Sequence, residues 1–271
     1  MSRSVKSVEL PTGVTLNYAE QGSTEGIPVI LLHGMGDSWR SFEPVLQFLP
    51  EDILVIALSQ RGHGDSSKPE KGYLYNDFAS DLAAFMDALN IKKAVLVGHS
   101  MGSSNAKRFA LDYPERTLGL VLIGSFTDAS NDPGDQEFYD TVISKMEDPL
   151  DRDQMEELQK EVVGGKIPQQ FLETIVQEAL KVPARVWQAV LLRDLEEDMS
   201  AEQSKIKAPT LIMWGDQDPV STRSAQDLQL KTIPNAKLLI YEGFGHAPHW
   251  EEPERFTSDL VKFIKKIPGS R

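Results

Sequence analysis

Two segments near the amino terminus, Val5 to Leu10 and Val14 to Ala19, alternate apolar and polar positions on either side of Pro11-Thr12-Gly13. A period of two broken by a Pro/Gly turn predicts a hairpin that carries the chain into a sheet. The later apolar segments are of another kind. Pro28 to Leu32, Ile53 to Leu58, Ala94 to Val97, Leu118 to Ile123, Thr210 to Trp214 and Lys237 to Tyr241 are mostly continuous apolar runs, as expected of strands buried on both faces of a parallel sheet. Helical patterns separate most of them. In Tyr75 to Leu89, the residues Phe78, Leu82, Phe85, Met86 and Leu89 fall at spacings of three and four and make one apolar stripe. Met101 to Asp112 and Glu252 to Lys266 are similar, with Pro253 acceptable in a first turn.

Strand alternating with helix predicts the α/β class, a mostly parallel eight-stranded sheet flanked by helices. The alternation stops over residues 127–209. There, helical patterns at Asp135 to Met146, Arg152 to Val163, Phe171 to Lys181 and Ala184 to Leu192 are divided by Pro149, Gly164-Gly165, Pro168 and Pro183. We therefore expect a core domain of residues 1–126 and 210–271 with a helical lid, 127–209, inserted into it. From Asp128 to Glu161 the insert carries twelve acidic and three basic residues, and a solvated helix face is the simplest reading of that run.

Composition narrows the function classes. The chain has 271 residues, 40% hydrophobic, enough for a sizeable core. Its 28 Lys and Arg against 41 Asp and Glu give a formal charge of −13, a field that repels phosphate backbones and anionic lipid. Nucleic acid and membrane surfaces are poor partners, and a small-molecule substrate is the expectation. The absence of cysteine removes disulfides, thiolate nucleophiles and thiolate metal ligands. The amino terminus reads as a strand rather than a signal peptide, and no run approaches the roughly 18 apolar residues of a membrane span, so the expected location is cytoplasmic. The pattern fits a monomer and a homodimer equally.

The strand Ala94 to Val97 runs into Gly98-His99-Ser100-Met101-Gly102 and then a helical pattern. A tight strand-to-helix turn strains the serine backbone and leaves no room for side chains two positions away, which the glycines at 98 and 102 allow. Such a turn lifts the Ser100 hydroxyl to a helix amino terminus, where backbone N–H groups stabilise negative charge. A serine needs a base and a group to orient that base. His246, in Gly243-Phe244-Gly245-His246-Ala247-Pro248 after the last predicted strand, is the preferred base. His249 is its rival, but Pro248 and Trp250 beside it suit a packing or capping role. His33, His63 and His99 lie in other turns and suit loop bracing. For the orienting acid, Trp214-Gly215-Asp216-Gln217-Asp218-Pro219 offers two aspartates that chemistry alone does not separate. The oxyanion donors expected are the N–H of Met35, in His33-Gly34-Met35-Gly36, and the N–H of Met101.

Together HGMG, RGHGDS, GHSMG, WGDQDP and GFGHAPHWEEPE resemble the α/β-hydrolase superfamily, in its lid-bearing serine hydrolase branch, over about Val14 to Ile267. The resemblance implies Asp218 rather than Asp216 as the acid, and supports His246, Met35 and Met101 in the roles above. Two positions depart from the family pattern. Ser59 stands where the family often has Asp before the RGHG element, and Ser103 where it has a second glycine after the elbow. The branch holds other chemistries. Epoxide hydrolases and haloalkane dehalogenases place aspartate at the position of Ser100, and epoxide hydrolases also use lid tyrosines, of which this insert has only Tyr139. Perhydrolases typically carry a proline in the oxyanion loop, absent from HGMG.

The resulting expectation is a serine esterase or lactonase that needs neither cofactor nor metal and acts on a small, largely apolar ester. Trp187, Val186, Phe171 and Leu191 are expected to wall the acyl pocket, with Phe126 and Trp39 near its mouth. Carbon–carbon bond hydrolysis and enol-lactone hydrolysis use the same triad and stand as alternatives. A slow or non-turning-over small-molecule receptor is the alternative outside enzymes.

Overall fold

The computed structural model describes residues 3–127 and 133–267. The stretch 128–132, where the predicted insert and its acidic run begin, lies outside the described residues. The eight expected strands are β1 Ser4–Glu9, β2 Thr15–Gln21, β3 Ile27–Leu32, β4 Ile53–Leu58, β5 Ala94–His99, β6 Thr117–Ile123, β7 Thr210–Gly215 and β8 Ala236–Tyr241. They form one sheet in the order β1-β2-β4-β3-β5-β6-β7-β8. The β1–β2 and β2–β4 pairings are antiparallel and all others parallel. From β3 the chain steps outward to β4 and then crosses back to β5 on the other side of β3. The strand order therefore reverses between β3 and β5, and a crevice opens beyond their carboxyl ends.

Alternate residues of the central strands feed two apolar layers. Ile30, Leu32, Ile56 and Leu96 pack with Phe85, Met86 and Phe109 of the helices α2 Tyr75–Ala88 and α3 Met101–Asp112. Val29, Leu31, Val55 and Val97 pack on the opposite face with Val45 of the short helix α1 Glu43–Leu46, and with Phe256, Leu260 and Ile264. All six residues of β4 and of β5 are buried, which explains why they read as unbroken apolar runs. A buried ion pair ties the loop after β4 to α2: Arg61 grips Asp81 through two bonds of 2.6 Å, and Thr12 of the hairpin turn donates to the same carboxylate.

Between β6 and β7 lie α4 Pro133–Thr141, α5 Arg152–Glu161, α6 Gln169–Leu180 and α7 Ala184–Glu196. The first is shorter than its sequence pattern predicts, because a separate 3-10 turn, Ile143–Lys145, continues it. The apolar faces of these helices gather into a third cluster that includes Ile143, Ile175, Val176, Val186 and Val190, and this cluster closes over Met101, Ala247 and Trp250 of the core. After β7 come α8 Arg223–Thr232, α9 Pro248–Glu251 and α10 Pro253–Ile264. Helix α8 carries no apolar stripe to announce it, since its buried face is polar. Gln226 and Gln229 are fully buried and donate to the Ser125 carbonyl at 2.7 and 3.1 Å, where the chain leaves β6. Its leucines, Leu228 and Leu230, are exposed. No helix among the described residues is long and apolar enough to cross a membrane.

Helix α3 presses directly against the sheet at its first turn. A Cβ on Gly102 would stand 2.2 Å from the Leu32 carbonyl oxygen, and one on Gly98 2.2 Å from that of Gly102. Both obstacles are backbone, so neither can swing aside. Gly102→Ala should destabilise the protein by about 2 kcal/mol or more, lowering the melting temperature by roughly 4 to 8 °C. An unchanged melting curve contradicts this packing.

Candidate active site

Ser100 joins β5 to α3 at φ 51° and ψ −119°, a backbone conformation rare for a residue with a side chain. Its N–H donates to the Ile123 carbonyl at 2.9 Å, which ties the turn to the neighbouring strand. The residue after it opens α3, so the Met101 N–H faces outward without an intrahelical acceptor. Ser103, where the family often has glycine, uses its hydroxyl to donate to the Ser100 carbonyl at 2.6 Å. Ser59 likewise accepts the Trp39 N–H at 3.2 Å, so both departures from the family pattern serve local structure.

His246 sits in the loop after β8, and its Nδ1–H donates to Asp218 Oδ2 at 2.8 Å. The Asp218 carboxylate is fully buried, and it also accepts the N–H groups of Val220 and Ser221 at 2.7 and 2.9 Å and the Ser221 hydroxyl. Burial alone pushes its pKa up, but the His246 imidazole and these hydrogen bonds outweigh that and hold it below the usual carboxylate value. Asp216 is exposed and accepts the Gly243 N–H instead, at 2.7 Å. Placement thus separates two aspartates that residue chemistry left level. The imidazole lies over Gly124, where a Cβ would come within 2.7 Å of the ring, one residue from the carbonyl that holds Ser100. His246 Nε2 has no hydrogen-bond partner, so the link from imidazole to serine hydroxyl is open in this conformation.

The loop after β3 forms a turn, with the Asp37 N–H donating to Gly34 O at 3.3 Å, and Met35 sits at its crest. His33 braces it: Nδ1–H donates to Gly34 O at 2.7 Å and Nε2 accepts the Gln60 N–H at 2.9 Å. His63 bonds the Arg61 carbonyl at 2.9 Å. His99 Nε2 donates to the His246 carbonyl at 3.2 Å, while its Nδ1 faces Asp37 at 4.0 Å. Burial pushes the Asp37 carboxyl well above its usual range and the His99 imidazole well below its own, so both favour the neutral form. His249 is fully buried with neither nitrogen partnered, packed against His99, Phe42 and Phe256.

Of the expected pocket residues, Val186, Trp187, Leu191 and Phe171 join the cluster over Met101, and Met35 packs against it. The Trp187 ring rests on Gly36 of the β3 turn. Trp39 does not join them. It belongs to the layer beneath, with Phe42 and Val45, sandwiched by the guanidinium groups of Arg3 and Arg40 at 4.9 and 5.0 Å. Phe126 is half-buried outside the cluster, and its carbonyl accepts the Nζ of Lys107, a fully buried lysine that burial pushes down to about 7. A polar chain that no motif announced links α7 to the β3 turn. Arg193 donates to Asn105 Oδ1 at 3.1 Å, Asn105 to Gln60 Oε1 at 2.7 Å, and Gln60 to the His33 carbonyl at 2.9 Å.

Burial lowers the His249 pKa to about 3. The unfolded chain takes up a proton below its ordinary value of about 6.5, so stability held by the neutral ring is complete above that pH and drains away as pH falls toward the folded value. In His249→Leu the melting temperature relative to wild type should therefore rise as pH drops from about 7.5 to about 5. A difference that stays constant or shrinks in acid overturns this.

A family described as the alpha/beta hydrolase fold matches residues 27–253. A 2-hydroxy-6-oxononadienedioate/2-hydroxy-6-oxononatrienedioate hydrolase of Burkholderia vietnamiensis is 30% identical over 281 residues, covering 98% of this chain and 96% of its own. A non-heme chloroperoxidase of Streptomyces lividans is 26% identical over 275 residues, covering 96% and 99%. The crystal structure of an esterase from Rhodococcus superposes with a TM-score of 0.86 at 26% identity, covering 97% of this chain and 99% of that one. The elbow, the order of the strands and the family match agree: the chain belongs to the α/β-hydrolase fold family.

Proposed function

We propose that this chain is a serine hydrolase of small, largely apolar carboxylic esters or lactones, working through an acyl-enzyme. Ser100 attacks the carbonyl, His246 takes the hydroxyl proton at Nε2 and returns it to the leaving alcohol, and Asp218 steadies the imidazolium. The N–H groups of Met35 and Met101 receive the oxyanion, each worth a few kcal/mol in the transition state. Water then repeats the sequence against the acyl group. The observation that carries this reading is the state of His246: three of its polar atoms are engaged and Nε2 alone is free, on a ring that lies against Gly124, one residue from the carbonyl that holds the strained Ser100 turn. Hydrolysis by these groups needs no cofactor.

The helices over residues 127–209 act as a lid, and their apolar cluster excludes water from the acyl group. The Burkholderia relative, named for a dioate substrate, favours carbon–carbon bond hydrolysis as the second reading. An arginine suits bidentate recognition of a distal carboxylate, and the insert's three arginines are all engaged: Arg152 with Glu156 and Glu173, Arg185 with Glu70, Arg193 with Asp194. The charge of −13 also disfavours a dianion. We therefore place the apolar ester first.

A panel of p-nitrophenyl esters and lactones should show multiple turnover by wild type, and Ser100→Ala should lose at least about 10³-fold in kcat. Mass spectrometry of the digested protein should find an acyl group on the peptide holding position 100. Retained activity in the variant removes the serine from the mechanism, and a ligand that raises the melting temperature without any turnover supports the receptor reading instead. Butyrate esters should exceed hemisuccinate esters by about tenfold in kcat/KM. The reverse preference supports the carboxylate-bearing substrates of the second reading.

A further inference from the structure

We infer that Glu251 and the insert's turn 162–165, between α5 and α6, are positioning residues that hold the backbone of His246. The lid is then part of the support of the base as well as a wall of the pocket. The kinetic consequence rests on the serine hydrolase reading, while the geometry does not.

The His246 N–H donates to the Val162 carbonyl at 2.9 Å, so the loop that carries the imidazole is anchored to the insert through its own backbone. One residue earlier, the Gly245 N–H donates to Glu251 Oε1 at 2.9 Å. The other carboxylate oxygen faces the insert, 2.6 Å from where a Cβ on Gly165 would stand. Burial raises the Glu251 pKa, and the hydrogen bond from the Gly245 amide opposes the rise. Glu251 thus holds the histidine loop through Oε1, while its buried Oε2 lies against the Gly164-Gly165 turn without a hydrogen-bond partner.

The loops are in contact at the closest distance backbone allows. A Cβ on Gly164 would stand 2.4 Å from the Gly245 nitrogen, and one on Gly245 would stand 2.2 Å from the Gly164 nitrogen. Gly164-Gly165 is therefore more than a helix break: it lets the insert dock on the histidine loop. The remaining anchors of His246 come from other elements, Asp218 after β7 and His99 at the end of β5. Removing the insert's anchor leaves the ring tethered at one side chain and one carbonyl, free to tilt Nε2 away from the serine. A displacement of about 1 Å at a reacting group can reduce the rate about 10²-fold.

Glu251→Ala should lower kcat on p-nitrophenyl butyrate by about 10- to 100-fold with KM changed by less than about threefold. Glu251→Gln, which keeps an oxygen for the Gly245 N–H, should recover part of the loss. Gly164→Ala leaves the carboxylate intact but forces the turn off the loop, and should give the same loss confined to kcat. Hydrogen exchange supplies a readout independent of turnover: the His246 amide should exchange at least about tenfold faster in Glu251→Ala and Gly164→Ala, with the amides of β5 and β6 unchanged. Wild-type kcat and wild-type exchange at His246 in both variants overturn the clamp and leave the hydrolase reading standing. Equal losses in kcat and 1/KM, or faster exchange across the whole sheet, reduce these residues to a folding role and also overturn it. If wild type turns over no ester, the hydrolase reading fails, and the exchange at His246 alone decides the clamp.

Discussion

The strained turn at Ser100 is the constraint on which the rest of the molecule depends. Helix α3 begins immediately off β5, so the chain must reverse within one residue, and that residue adopts φ 51°. The reversal is sterically open only because positions 98 and 102 lack a Cβ, letting α3 lie on the Leu32 carbonyl and on its own preceding strand. Three consequences follow together. The hydroxyl stands at the point where strand order reverses, the first free N–H groups of α3 face the same space, and the β3 turn bearing Met35 lies alongside.

Much of this was legible in the residues. Strands buried on both faces leave unbroken apolar runs, and all eight strands lie within two residues of their expected bounds. Helices with an apolar stripe were equally visible. Helix α8 was not, because its inward face carries glutamines that satisfy the chain leaving β6 while its leucines face solvent. Apolar periodicity reports hydrophobic burial and is silent where burial is polar.

The site divides along the same line. Residue types and their contexts pointed to Ser100 and His246, whereas residue chemistry left Asp216 and Asp218 level and only the family resemblance favoured Asp218, the carboxylate that faces the imidazole once the loop is folded. Trp39 was expected near the pocket mouth on its type, and it instead packs from the 3-10 turn Trp39–Phe42 into the layer that holds Phe42 and Val45. The contacts of Val162 and Gly164 with the histidine loop are made through backbone. A backbone contact leaves no signature in side-chain chemistry, except for the glycines it requires.

The site and its cover are chemically complementary. Burial holds His33, His99 and His249 below their ordinary range and Asp37 above its own, so these groups favour their neutral forms near the apolar cluster of the insert's helices, while Asp218 is held below the usual carboxylate value. The most direct test is a crystal structure of the protein after reaction with a fluorophosphonate. The expected result is a phosphorus bonded to Ser100 Oγ, with its oxygen about 3 Å from the N–H groups of Met35 and Met101 and His246 Nε2 turned toward the adduct. Density for the probe on any other residue, or a phosphoryl oxygen pointing away from both amides, contradicts the arrangement of nucleophile, base and donors argued above.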